Sequence, residues 1–209
     1  MNRNNANTQI YSQKVELLLR LMPIVMEEGV FAVHGGTAIN LFLMDLPRLS
    51  VDIDLTYIPL AERNQSLEAI NQHLKSISEK AKKTFKGMHI VPKYDICKLL
   101  CEYRGKQVKV EVNQTKRGLV GGEAITMPLS DKAQEEFGLY CEANIVPQTQ
   151  LYGGKIAAAL SRQHPRDLFD VKYMELPMED CREGLIFNLL VSDRPTHESF
   201  SPRLIDQRK

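Results

Sequence analysis

Arg48-Leu49-Ser50-Val51-Asp52-Ile53-Asp54-Leu55 decides the reading of this chain, and it lies downstream of His34-Gly35-Gly36-Thr37. The run Val51 to Leu55 sets two carboxylates two positions apart among apolar neighbours. On a strand, alternate side chains share a face, so Asp52 and Asp54 point one way and Val51, Ile53 and Leu55 the other. Two like charges side by side repel and call for a cation or a shared proton. A Mg²⁺ ion held by one or two carboxylates together with substrate phosphates meets that need. Upstream, Gly35, Gly36 and Thr37 open a helical pattern, where backbone N–H groups and the helix dipole favour an anion. A phosphate cradle followed by paired carboxylates points to phosphoryl or nucleotidyl chemistry. Taken singly, the acids could merely solubilise a strand edge, and the Gly-Gly-Thr could be a plain turn.

On either side of this stretch the pattern alternates between helix and strand. Residues 1–10 are polar and expected to fray. From Ser12 to Glu28, Val15, Leu18, Leu19, Met22 and Met26 recur at helical spacing, and Pro23 should kink or split that helix. Residues 30–33 read as a buried strand, 36–46 as a helix and 49–57 as the carboxylate strand. A helix over 61–83 ends in the basic run Lys80 to Lys83. Strands follow at 89–94, 98–103 and 108–113, the last two turned by Arg104-Gly105-Lys106. Residues 114–146 read mostly as loop, with a short strand at 144–146. Helices are expected at 149–162, 165–175 and 179–191. This is an α/β (α+β) chain: a sheet unit over residues 1–146, then a helical part over 147–209. The polar stretch from Ser201 to Lys209, rich in Arg, stops as an excerpt of a longer protein would.

The 27 basic and 26 acidic residues nearly cancel, so no global field advertises nucleic acid. The hydrophobic fraction of 43% supports a sizeable core. Cys97, Cys101, Cys141 and Cys181 include no C-x-x-C pair and read as reduced, buried thiols rather than a metal site or disulfides. With no signal peptide and no apolar run long enough for a bilayer, a soluble, cytoplasmic protein without membrane contact is expected.

Glu111 is the third carboxylate candidate. In Lys106 to Asn113, Val108, Val110 and Val112 alternate with Lys109, Glu111 and Asn113, which alone describes a solvated strand face. A site requires this strand to lie beside the Asp52–Asp54 strand; three carboxylates there could hold two Mg²⁺ ions. A further cluster places Lys155, Ala158, Ala159 and Arg162 on one helix face, followed by Arg166, Asp167 and Asp170. It suits a triphosphate, or else a salt-bridge arrangement at helix ends. Gly154-Lys155 fails the P-loop pattern because Ile156 follows. His34 could contact a phosphate or act as a base, but it reads first as a structural or capping residue. Tyr57, Tyr94, Tyr103 and Tyr152 read as packing ahead of base stacking.

Four motifs in order carry a resemblance: His34 to Ala38 with Arg48 to Leu55, then Val110-Glu111-Val112, then Lys155 to Arg162, then Arg166 to Asp170. Together they resemble the AbiEii/AbiGii family, a branch of the DNA-polymerase-β-like nucleotidyltransferases that includes toxins of type IV toxin–antitoxin systems. Pro47 stands where the family usually has a glycine. The resemblance implies a mixed sheet flanked by helices, with a helical C-terminal part. It implies Mg²⁺-dependent transfer of a nucleoside monophosphate from an NTP, with Mn²⁺ as the alternative ion and pyrophosphate as the leaving group. The acceptor in relatives can be RNA, notably a tRNA 3′ end, and a cognate antitoxin opposes the activity. By that resemblance Asp52, Asp54 and Glu111 are metal ligands, and Glu111 helps deprotonate the acceptor. Gly35, Gly36, Thr37, Arg48, Ser50, Arg162, Arg166 and Asp167 contact the nucleotide. Lys155 binds the triphosphate, and Asp170 positions the lysine or the substrate. Two rival readings are a nucleotide-binding module without turnover and an antibiotic-modifying nucleotidyltransferase.

Overall fold

The computed structural model describes residues 3–192 and 194–201, with side chains from residue 9 onward. The expectations for residues 1–2 and for the Arg-bearing tail beyond Ser201 lie outside the described residues. The chain forms two compact units. One comprises Met1–Gly118 and Ile125–Ile145, the other Leu119–Ala124 and Val146–Lys209.

Among the described residues, the first unit is built on seven strands: β1 (Phe31–His34), β2 (Asp52–Tyr57), β3 (His89–Lys93), β4 (Lys98–Tyr103), β5 (Lys106–Val112), β6 (Ile125–Pro128) and β7 (Glu142–Ile145). Their order is β3-β4-β5-β2-β1-β7-β6. The β2–β5 and β1–β7 pairs are parallel and the rest antiparallel, so the sheet is mixed. Its apolar face presents Val33, Ile53, Leu55, Leu99, Val110 and Val112, all buried. Two helices, α1 (Arg3–Met26) and α3 (Arg63–Thr84), pack against these strands and each other. They contribute Leu18, Leu21 and Met22 from α1, and Ile70, Leu74 and Ile77 from α3. Each such side chain contributes roughly 1.5–3 kcal/mol by leaving water. Glu28, just past α1, ties the two helices: its carboxylate accepts from Ser76 Oγ at 2.7 Å and Lys80 Nζ at 2.9 Å, and lies 2.7 Å from His73 Nδ1.

Several boundaries differ from the sequence expectation, each for a local reason. The α1 helix reaches back to Arg3 and runs through Pro23, which sits on the exposed face between buried Met22 and Ile24. The expected helix over 36–46 is a short α2 (Gly35–Ala38) continued by a π-helical turn at Ile39–Leu43. There the Asn40 amide donates to the Gly36 carbonyl at 2.9 Å, taking the acceptor that α-helix geometry reserves for the Asn40 N–H. The carboxylate strand begins at Asp52 instead of Leu49, because pairing with β5 starts there. Residues 114–146 hold β6, β7 and α4 (Asp131–Phe137). Their glycines and prolines masked a helix that follows Ser130 and ends on Gly138 at φ 59°.

The second unit contains α5 (Gln148–Arg162), α6 (Pro165–Lys172), α7 (Arg182–Leu190) and α8 (Thr196–Ser199). A 3₁₀ turn at Met178–Cys181 replaces the expected first turn of the 179–191 helix. The segment Leu119–Ala124 belongs here, where Val120 N–H donates to Gln150 Oε1 at 2.8 Å. Helices α5 and α7 meet at glycines: a Cβ on Gly153 would lie 2.3 Å from the Gly184 carbonyl carbon. All four cysteines are free and buried. No helix among the described residues is long and apolar enough to cross a membrane.

Candidate active site

Strand register places the carboxylates. In the parallel pairing of β2 with β5, Asp54 stands opposite Glu111 and Asp52 opposite Lys109. His34 pairs with Asp54 on one side, and Lys98 pairs with Glu111 on the other. His34, Asp54, Glu111 and Lys98 thus form one row across β1, β2, β5 and β4, opposite the buried valines and leucines. The condition that a solvated strand face could not meet by itself, adjacency to the Asp52–Asp54 strand, holds for Glu111.

Two lysines balance this negative row. Lys109 Nζ lies 3.1 Å from Asp52 Oδ2, and Lys98 Nζ 2.7 Å from Glu111 Oε2. The hydrogen bond to Asp52, and the charge behind it, push the Lys109 ammonium above its ordinary range. Sequence reasoning put Lys109 on the carboxylate face without a role and missed Lys98. A signal existed: the two-residue turn pairs Tyr103 with Lys106, and counting back along both strands pairs Lys98 with Glu111. Among the described residues no three His, Cys, Asp or Glu side chains are gathered closely enough to hold a metal ion. The donor chemistry nonetheless suits a divalent cation: two aspartates on one strand face, a glutamate beside them, and ammonium groups standing as counter-ions to Asp52 and Glu111.

The glycines fit closely around these groups. A Cβ on Gly35 would lie 3.0 Å from Asp54 Oδ2 and press on that carboxylate, and the residue holds φ +73°, a conformation that favours glycine. A Cβ on Gly36 would meet Arg48 Nη2 at 2.9 Å and Ser50 Oγ at 3.0 Å. Gly35, Gly36, Arg48, Ser50, Asp52 and Asp54 are therefore brought together. Thr37 is fully buried; its hydroxyl donates to the Asp52 carbonyl at 2.5 Å and lies 3.0 Å from Ser50 Oγ. Its side chain pins the glycine turn to the start of β2. His34 occupies the position before α2 in an extended conformation without a side-chain capping bond.

In the second unit, Lys155 is buried and its Nζ lies 3.0 Å from both Asp167 Oδ1 and Asp170 Oδ2. Asp170 is fully enclosed, whereas Arg162, 65% exposed, reaches Asp167 at 3.1 Å. Arg166 is exposed, and its backbone N–H is capped by His164 Nδ1 at 3.2 Å. The salt-bridge alternative for this cluster is thus realised in the geometry, with Lys155 at its centre.

The family described as Nucleotidyl transferase AbiEii toxin, Type IV TA system, matches residues 16–198. The chain belongs to the AbiEii family. That match spans both units and contains every motif noted above. Among curated proteins no relative matches the chain. AbiEii membership implies nucleotidyl transfer and a toxin–antitoxin system.

Proposed function

We propose that this AbiEii chain is an NTP-dependent nucleotidyltransferase that moves a nucleoside monophosphate onto RNA, the tRNA 3′ end being the favoured acceptor, in the cytoplasm. A cognate antitoxin would oppose it. The observation carrying this reading is the pairing of Asp54 with Glu111 beside Asp52, next to a glycine turn at Gly35 and Gly36 against which Asp54, Arg48 and Ser50 lie. Asp52 and Asp54, with Glu111 next to them, would hold Mg²⁺ or Mn²⁺, which supplies charge neutralisation to the triphosphate and the leaving pyrophosphate. Glu111 is the proposed acceptor of the proton from the attacking hydroxyl, and it keeps one exposed edge suited to that work. The turn at Gly35 and Gly36 admits a phosphate close to the backbone, with Arg48 and Ser50 alongside. Lys155 is the proposed triphosphate ligand, held in one rotamer by Asp167 and Asp170. Arg162 and Arg166 are proposed as outer phosphate contacts.

Incubation with labelled NTPs, Mg²⁺ and total RNA tests the reading. Wild type should label RNA, and Asp52→Ala should lower the rate by orders of magnitude. Equal labelling by the variant would sink the proposal. One observation favours a second reading, a nucleotide-binding module without turnover: Lys109 and Lys98 already neutralise Asp52 and Glu111. NTP binding without transfer to RNA or to hydroxylated small molecules would select it, whereas label on an aminoglycoside would select an antibiotic-modifying enzyme.

A further inference from the structure

The apolar face of the sheet carries a cavity on the side away from the carboxylates. Along β4, Lys98 shares the face of Glu111, so Leu99, Cys101 and Tyr103 lie on the other side. At the hairpin end, Tyr103, Arg104 and Lys106 join Glu16 and Arg20 of α1 and Phe85, which follows α3, around a cavity of about 640 Å³. That is the size of a small-molecule site. Its lining combines two chemistries. Phe85 and Tyr103 form an edge-on ring pair, 5.5 Å between centroids at 62°, and the Arg104 guanidinium lies 5.1 Å from the Tyr103 ring centre. Glu16, the acid of the lining, is forked by Arg20 through Nε at 3.0 Å and Nη2 at 2.9 Å. Arg104 and Lys106 have no ion-pair partner among the described residues, which leaves their charge for a ligand.

A planar ring beside an anion uses both chemistries at once: aromatic residues stack on a base, and the two cations meet a phosphate. A simple anion leaves the rings idle, and an aliphatic ligand leaves the cations idle. The hairpin also fixes the backbone from which Arg104 projects. Arg104 and Gly105 take φ 49° and 73°, the two-residue turn that matches strand twist, so Arg104 projects from a fixed corner.

We propose that this cavity binds a nucleoside phosphate, as a free nucleotide or as one residue of a single-stranded RNA, on the sheet face opposite Asp52, Asp54 and Glu111. The inference stands independently of catalysis at those carboxylates.

The test measures binding of AMP by calorimetry, and of a fluorescent single-stranded RNA of about ten nucleotides by anisotropy, to the full chain in EDTA. EDTA silences any cation-dependent cleft. Arg104→Asn combined with Lys106→Gln removes both charges, and Asn tolerates the positive φ at that corner. Wild type should bind at least one probe, the double variant should lose about tenfold, and Asp52→Ala should bind as wild type does. Lys106→Arg, which keeps the charge, should keep the affinity. Loss for AMP and RNA together assigns a free nucleotide; loss for RNA alone assigns an RNA strand. No binding of either probe, unchanged affinity in the double variant, an equal loss in Lys106→Arg, or a matching loss in Asp52→Ala overturns the proposal.

Discussion

Asp54 and Glu111 stand opposite each other across the parallel pairing of β2 and β5, joining carboxylates 57 positions apart in sequence. Glu111 is also 44% exposed and paired only at the surface with Lys98. Such an ion pair contributes about 1 kcal/mol or less. Glu111→Gln should therefore melt close to wild type yet lose about a hundredfold or more in transfer rate. Parallel melting curves and label-incorporation rates check this; a wild-type rate would remove Glu111 from the chemistry.

Lys109 competes with any cation for Asp52. Lys109→Met removes the counter-ion from Asp52, which a divalent ion can then replace. The variant should melt lower than wild type in EDTA and gain more on Mg²⁺ addition. Because its ammonium is pushed above the ordinary 10.5, the stabilisation from this pair is complete below that value and fades as pH rises through the raised one. Melting temperatures across a Mg²⁺ series decide the matter, and identical gains in both proteins would count against a cation at Asp52.

Burial sets the cost of disturbing Lys155. Asp170→Asn removes charge from a fully enclosed partner and should cost about 3–5 kcal/mol. Arg162→Ala touches the same network from an exposed position and should cost about 1 kcal/mol or less. Urea unfolding distinguishes them; equal costs would show that Lys155 is not the enclosed centre of the cluster.

Glu28 gives the first unit a pH-dependent clamp. Burial raises its pKa, but hydrogen bonds from His73, Lys80 and Ser76 and the Lys80 charge prevail and hold it below the ordinary 4.5. A lowered carboxylate stabilises the fold above its unfolded pKa and loses that contribution as pH falls through the folded value. Glu28→Gln should cost about 2 kcal/mol near neutrality and flatten the acid limb of the stability profile. Denaturant midpoints at pH 7 and at stepped acidic pH would register both effects, and an unchanged acid slope would refute the clamp.

The α5–α7 contact depends on absent side chains. Gly184→Ala would set a Cβ 2.0 Å from the Thr149 carbonyl oxygen and Gly153→Ala one 2.3 Å from the Gly184 carbonyl carbon, so backbone must move. Each should cost about 3 kcal/mol. Gly29→Ala meets nothing within 4 Å and strains only its φ of +68°, for about 1 kcal/mol. Thermal melts would rank the three, and a reversed order would contradict the packing.

Local pattern made much of this molecule legible. The alternation in Val51 to Leu55 and Val108 to Val112 set which side chains face the core, since strand period is two wherever one face is buried. Helical spacing located α1, α3 and α5, and four motifs in order pointed to the AbiEii family that residues 16–198 match. The harder segments were those where a side chain overrides the ladder, as Asn40 does at Gly36, or where turn residues crowd short elements, as around α4.

The sequence by itself determined the faces: acids on one side of β2 and β5, aliphatic residues on the other, because that alternation is written into neighbouring residues. Tertiary structure alone decided the partners. Parallel pairing across an intervening helix and hairpin joins Asp54 to Glu111, and the same register delivers Lys109 to Asp52 and Lys98 to Glu111. No local rule sets which distant strands meet; α1 and α3 cover the apolar face that the paired strands share.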